Sequence, residues 1–298
     1  MSVFVWRPLI LGIMTPLLLL ACTGQDDERP LVLATTAILA DLARQVAGDA
    51  LRVEAIVPAE ADPHTFDITP AQARRIGQAR LIFANGLGLE GPLLDSLLAH
   101  KAAQAPLLAV GEAVGQRLGL SSGVSEDPHL WLDPRLAAEY VLAMAEALAG
   151  LDPAGAEGYR GRAQQYVGQL RALDEETGRT LQALPPQRRQ LVASHAAFHW
   201  LARRYGLQEV GYLVSSPEAE PSPAQVADLR QRLQQQRVPA VFVEPQLEGA
   251  DRLLARLAQD LGLRVCTLYS DAFDDRVRSY LELMRHNGRE LARCLGEG

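Results

Sequence analysis

Three histidines sit where this chain can present imidazoles to a metal ion. His64 closes Asp62-Pro63-His64 and His129 closes Asp127-Pro128-His129. His195 follows directly on the apolar run Gln190–Ser194. Proline fixes its own φ and pushes the preceding residue to an extended shape, so each Asp-Pro-His presents its ring from a stiff turn. One such tripeptide reads as a turn with an exposed histidine; two in one chain point to a shared role. Asp62 and Asp127 either cap those turns or accept the second ring N–H of a ligating imidazole. Asp271, in Tyr269-Ser270-Asp271, either completes three imidazoles into an N₃O shell or caps the next helix. Glu244, ending Ala240–Glu244, supports a ligand or makes a contact between lobes. His199 lies four residues after His195, the spacing of His-Glu-x-x-His enzymes, but Ala196-Ala197-Phe198 supplies no glutamate. It stays outside the expected ligand set. His100 and His286 lie on helix-type stretches and are expected at the surface.

The elements that must position these side chains alternate. Leu31–Thr36, Val53–Val57, Leu81–Asn85 and Leu107–Val110 read as apolar strands, with helices over Ala37–Ala47 and Pro70–Ala79. Gln190–Ser194, Glu209–Val214, Ala240–Glu244 and Leu263–Tyr269 repeat the pattern. His199–Tyr205, Pro223–Gln235 and Ala250–Leu261 are the helices among them, and a last helix covers about Asp275–Cys294. Continuous apolar strands separated by helices predict parallel sheets covered on both faces. Ligands bind outside the carboxyl ends of such strands, where His64, His195 and Asp271 fall, while His129 lies in a loop before Leu130. From Pro153 to Leu184 no strand signal appears, and Tyr159, Ala163, Val167, Leu170 and Leu181 recur at helical spacing. Gly155, Gly158, Gly161 and Gly168 weaken that pattern. A helix of roughly 30 residues spans about 45 Å, which suits a rod joining two lobes. The expected layout is an α/β fold of two lobes, each a mostly parallel four-stranded sheet with flanking helices. The lobes cover residues 31–152 and 186–298, and the helix of residues 153–185 joins them.

The first 21 residues carry one charge, Arg7, before an apolar run from Leu9 to Leu20. That run matches the apolar region of a signal peptide, about 7–15 residues, and not a membrane span of about 20. Leu19-Leu20-Ala21-Cys22 resembles a bacterial lipobox, which makes Cys22 the lipidated first residue of the mature chain and residues 22–30 a tether. The expected location is therefore secreted, periplasmic or cell-surface, held at the membrane by the lipid alone. In that oxidising compartment Cys266 and Cys294 form a disulfide or stay as two buried thiols. A net charge of −7 disfavours nucleic acid as a partner. There is no Walker loop, no Gly-x-Ser-x-Gly elbow and no dinucleotide fingerprint. In Gly86-Leu87-Gly88-Leu89-Glu90-Gly91 the third glycine is misplaced and no lysine follows.

The chain resembles the metal-binding subunits of bacterial ABC importers for zinc and manganese. The resemblance rests on Asp62-Pro63-His64-Thr65-Phe66, the stretch Asn85–Glu90, and Asp127-Pro128-His129-Leu130-Trp131-Leu132-Asp133-Pro134. Ser194-His195-Ala196-Ala197-Phe198, the stretch Glu218–Ser222 and Tyr269-Ser270-Asp271 complete the set, in order along nearly the whole mature chain. It implies metal held between two lobes by His64, His129, His195 and Asp271, with delivery to a membrane permease driven by a cytoplasmic ATPase. Manganese-type members tend to carry Glu at the third ligand position, where this chain has His195. Three nitrogens and one oxygen suit Zn²⁺, whereas Mn²⁺ prefers more oxygen. Many zinc members also carry a His-rich loop, and the stretch between Val110 and Asp127 holds no histidine.

The expected function is extracytoplasmic capture of Zn²⁺ by a monomer that is not an enzyme. A manganese or broad-specificity importer subunit is the nearest alternative. A surface adhesin with a structural metal and a secreted zinc hydrolase are alternatives of other classes. Catalytic zinc keeps an open water position, and four protein ligands would close it.

Overall fold

The computed structural model describes residues 1–3, 28–120 and 127–296. Cys22, nearly all of the expected leader and most of the tether lie outside them. No helix among the described residues is long and apolar enough to cross a membrane.

Two four-stranded sheets form, all parallel. The first contains β1 (Leu31–Ala34), β2 (Arg52–Ala55), β3 (Leu81–Ala84) and β4 (Leu107–Ala109), in the order β2-β1-β3-β4. The second contains β5 (Gln190–His195), β6 (Gln208–Val214), β7 (Ala240–Val243) and β8 (Arg264–Thr267), in the order β6-β5-β7-β8. The two orders are equivalent, so each sheet reverses direction beside its first strand, where α/β folds open a crevice. The central strands β1 and β5 are buried along their full length, which is why they read as unbroken apolar runs.

Ten helices surround the sheets among the described residues. In the first half these are α1 (Ala37–Ala47), α2 (Pro70–Gln78), α3 (Pro92–His100), α4 (Val110–Arg117) and α5 (Pro134–Leu151). Then come α6 (Ala156–Gln182), α7 (His199–Tyr205), α8 (Pro223–Gln236), α9 (Glu248–Asp260) and α10 (Tyr280–Gly296). The expected rod is α6, 27 residues long. It packs against α5, α1 and α10, elements from both sides of the molecule. Leu170, Leu173 and Leu181 lie on its buried stripe, and burying each contributes about 1.5–3 kcal/mol. Asp174 on the same stripe accepts a two-pronged hydrogen bond from Arg204 of α7, at 2.7 and 2.5 Å.

The main hydrophobic core runs without a break from β1 and α1 through α5 and α6 to β5, α7 and α10. The lobes therefore share one core along their common side. Smaller clusters fill the outer face of each sheet. Cys266 of β8 is disulfide-bonded to Cys294 of α10.

The elements depart from the expected layout at one helix start and at helices that were not expected. α10 begins at Tyr280 and not near Asp275. Asp274 Oδ1 accepts from the backbone N–H groups of Arg276 and Val277, which holds that stretch as a turn. α4 and the 18-residue α5, the latter started by the Asp133 N-cap and Pro134, have no counterpart among the expected helices.

Gly161 and Gly168 of α6 are exposed, and a Cβ at either meets nothing within 4 Å. Replacing each with Ala should raise stability by about 0.5–1 kcal/mol, because glycine loses more backbone entropy in a helix. Urea midpoints of G161A and G168A check this; an unchanged or lowered midpoint would contradict the solvent-facing placement.

Candidate metal centre

His64 follows β2, and its turn is closed by the Asp62 carboxylate, which accepts from the His64 backbone N–H at 2.9 Å. The second Asp-Pro-His repeats this bond at the same distance, Asp127 Oδ1 to the His129 N–H. The two copies differ at the ring. Asp127 Oδ1 also accepts from His129 Nδ1 at 2.5 Å, which fixes the tautomer that leaves Nε2 free. Asn85, at the end of β3, holds this turn by donating from Nδ2 to the Pro128 carbonyl at 3.0 Å. Tyr140 donates in turn to Asn85 Oδ1 at 2.7 Å. Gly111 leaves room for that bond, since a Cβ there would lie 2.3 Å from the Tyr140 hydroxyl oxygen.

His195 ends β5, and its Nδ1 bonds Glu244 Oε1 at 2.8 Å. β5 and β7 are neighbours in one sheet, so Glu244 braces His195 within its own lobe and is not a contact between lobes. Asp251 accepts from the Glu244 backbone N–H at 2.8 Å and from the Ser194 hydroxyl. Asp271 follows β8. Its loop is held by Asn287 of α10, which bonds both the N–H and the carbonyl of Tyr269 at 2.9 and 2.7 Å.

These elements bring four ligand atoms, one each from His64, His129, His195 and Asp271, within 4.8 Å of one another. His64 Nε2 and His129 Nε2 are 3.2 Å apart, and His129 Nε2 lies 3.0 Å from Asp271 Oδ1. Ligand atoms on a tetrahedral Zn²⁺ with bonds of about 2.0–2.1 Å stand about 3.3 Å apart. All four residues are buried, at 7% exposure or less. His195 Nε2 and Asp271 Oδ1 are buried with no aligned hydrogen-bond partner, an arrangement that buried polar atoms rarely tolerate unless another ligand satisfies them.

The electrostatics fit a site prepared for a cation. Burial lowers the His129 imidazole, but the Asp271 and Asp127 carboxylates outweigh it and raise it well above its ordinary value. Burial likewise opposes, and Glu244 reverses, the shift of His195, which is raised. His64, without such a partner, is pushed by burial down to about 4. Burial alone would raise Asp271; the imidazoles around it, His129 first, hold it well below the usual carboxylate range.

His199 does not join the cluster. Its Nδ1 bonds Glu209 Oε2 at 3.0 Å, and its backbone N–H donates to Asp127 Oδ2 at 3.1 Å. Both side chains line a cavity of about 880 Å³ that reaches His64, His129 and His195. His100 is exposed and bonds the Ser96 carbonyl. His286, expected at the surface, is half-buried because its Nε2 meets the Thr267 carbonyl at 3.1 Å and its ring packs on Tyr269. The sequence reading did not single out Ser270, Gln246 or Trp131. The Trp131 indole lies edge-on to the His129 ring and donates to the Ser270 carbonyl at 2.9 Å. Ser270 and Trp131 lie inside the quoted motifs, which was their only signal, whereas Gln246 lies outside them and carried none.

Two parallel α/β sheets tied by a long helix, with buried imidazoles and a carboxylate between them, define a class. It is the metal-binding solute-binding protein of ABC transporters, which is not an enzyme. Within that class, a family model described as zinc-uptake complex component A, periplasmic (ZnuA), matches residues 32–294, and the chain belongs to this family. A metal ABC transporter substrate-binding lipoprotein, ScbA of Streptococcus cristatus, is 29% identical over 313 residues, covering 98% of this chain and 99% of its own. The manganese ABC transporter substrate-binding lipoprotein PsaA of Streptococcus mitis is 29% identical over 300 residues, covering 94% and 96%. Among solved structures, the periplasmic zinc-binding protein TroA from Treponema pallidum has 30% identity and a TM-score of 0.78, covering 90% of this chain and 99% of that one. A periplasmic metal-binding protein from Candidatus Liberibacter asiaticus has 25% identity and a TM-score of 0.79, covering 90% and 100%.

Because His129 and His195 are raised, an incoming ion must displace protons that the empty site holds. Apparent affinity should therefore fall as pH drops through the raised range of these imidazoles, with protons released on binding. Calorimetry in buffers of different ionisation enthalpy reads this directly. A pH-independent affinity with no buffer effect would show that the imidazoles are not ligands.

Proposed function

We propose that this protein captures Zn²⁺ outside the cytoplasm with His64 Nε2, His129 Nε2, His195 Nε2 and Asp271 Oδ1, and delivers it to an ABC permease. The reading rests on one observation: three buried imidazoles and one carboxylate converge at spacings close to a tetrahedral shell. Lobes of residues 31–152 and 186–298, with the 153–185 helix as their shared spine, carry the ligands on opposite walls. Glu244 and Asp127 keep two of the imidazoles in the ligating tautomer, while Asp62 acts on the turn. A manganese role is the second reading, supported by the name of the Streptococcus mitis relative. The nitrogen-rich donor set favours zinc, because Mn²⁺ prefers oxygen ligands.

A competition titration of the chelator-stripped protein tests the proposal. Zn²⁺ should bind one to one, and Mn²⁺ far more weakly. Asp271→Ala should weaken Zn²⁺ by about 100-fold or more, beyond what loss of a supporting group costs. His195→Glu should narrow the gap between the two metals by adding an oxygen donor. Comparable wild-type affinity for both metals would favour the manganese reading, and no stoichiometric binding would refute the site.

For the membrane, we propose that Cys22 carries the lipid, as the relatives named as lipoproteins suggest. Radiolabelled palmitate should enter the wild-type chain and not Cys22→Ala. Equal labelling of both would exclude Cys22 as the anchor.

A further inference from the structure

Asp271 offers two carboxylate oxygens to the site, and they are not equivalent. Oδ1 is buried without an aligned partner and lies 3.0 Å from His129 Nε2. Oδ2 also borders the cluster, 3.6 Å from His195 Nε2. It is occupied from behind. The Ser270 hydroxyl, fully buried, lies 2.6 Å from Oδ2, and the Gln246 side-chain amide lies 3.4 Å from it. Gln246 Nε2 also donates to Ser270 Oγ at 2.8 Å. That leaves the single Ser270 proton to be directed at Asp271 Oδ2 or at Glu244 Oε2, 2.5 Å away.

We infer that Ser270 is a specificity-determining residue: by directing its one proton to Asp271 Oδ2 rather than to Glu244 it restricts Asp271 to one coordinating oxygen and so favours four-coordinate ions over those needing more oxygens. The inference rests on the proposed ligand set and adds a statement about how the fourth ligand binds. A carboxylate that can supply both oxygens turns an N₃O shell into N₃O₂. Zn²⁺ is satisfied by four ligands in a tetrahedron, whereas Mn²⁺ prefers a larger, oxygen-richer shell. The hydroxyl touches no ion in this arrangement; it acts through the carboxylate. Ser270 also links the two acidic supports of the site, because Glu244 braces His195 through its other oxygen.

The test compares wild type, Ser270→Ala and Ser270→Thr, using Zn²⁺, Mn²⁺ and Co²⁺ as probes. Wild-type one-to-one binding that disappears in His129→Ala first establishes the ligand set, so its failure is separable from failure of this inference. Wild type loaded with Co²⁺ should show the intense visible bands of a four-coordinate ion. In S270A those bands should weaken toward five-coordinate intensity, and the ratio of Zn²⁺ to Mn²⁺ affinity should fall by about 10-fold, the low end of effects on supporting groups. S270T, which keeps the hydroxyl, should restore both. If S270A does not fold, as circular dichroism would show, Gln246→Leu provides the second variant. It removes the amide that orients the hydroxyl and should move both readouts in the same direction. Equal loss of affinity for both metals with unchanged Co²⁺ bands would overturn the inference and leave Ser270 a structural residue.

Discussion

Removing three imidazoles and a carboxylate from water, with their ligating atoms aimed at one point, is the constraint on which this fold turns. Each group resists burial, and an unpaired buried polar atom is costly. The chain meets the difficulty by securing the far side of most rings. Asp127 holds the Nδ1 of His129, and Glu244 that of His195. Those carboxylates are themselves held, by backbone N–H groups and hydroxyls. The polarity needed at the centre is thus passed outward, one hydrogen bond at a time, until it reaches backbone or solvent.

The same constraint explains how the walls of the cleft are joined. Polar bonds cross from one side to the other around the cluster. Trp131 donates to the Ser270 carbonyl, and Tyr280 donates to the Trp131 carbonyl at 2.7 Å. Asp41 of α1 accepts from the Tyr280 N–H at 2.8 Å, and the Ala59 carbonyl accepts from the Phe273 N–H at 2.8 Å. Asp127 serves both the His129 ring and the first N–H of α7. A large rotation of the lobes would break these bonds and open the shared core behind them. Local rearrangement of the ligand loops disturbs far less.

Much of this was legible in the chain. All eight strands lie within a residue or two of the apolar runs, and β1, β3 and β5, buried along their full length, left the clearest pattern. α6 survived its glycines because Gly161 and Gly168 face solvent and the buried stripe stays intact. α5 escaped notice because its start, Asp133-Pro134, was absorbed into a metal motif and not read as an N-cap with proline in the first turn. The gathering of His64, His195 and Asp271 followed from their places at or after strand ends, and that of His129 from the repeated Asp-Pro-His. Which carboxylate serves which ring did not, since Asp62 and Asp127 sit in identical tripeptides. Only the packing of Asp127 against α7 and the His129 ring separates them. Ser270 was invisible for a similar reason: a serine beside an aspartate carries no signal until the third dimension shows what it touches.

The cavity that reaches the histidines runs along β6 and the start of α7, past His199 and Glu209. An ion that departs the way it arrived passes the same residues twice. The surface that admits the cargo is then also the surface on which a recipient must sit to receive it. A recipient seated there shuts the entrance to solvent, so filling and emptying take turns. On such a route, traffic would advance in single parcels.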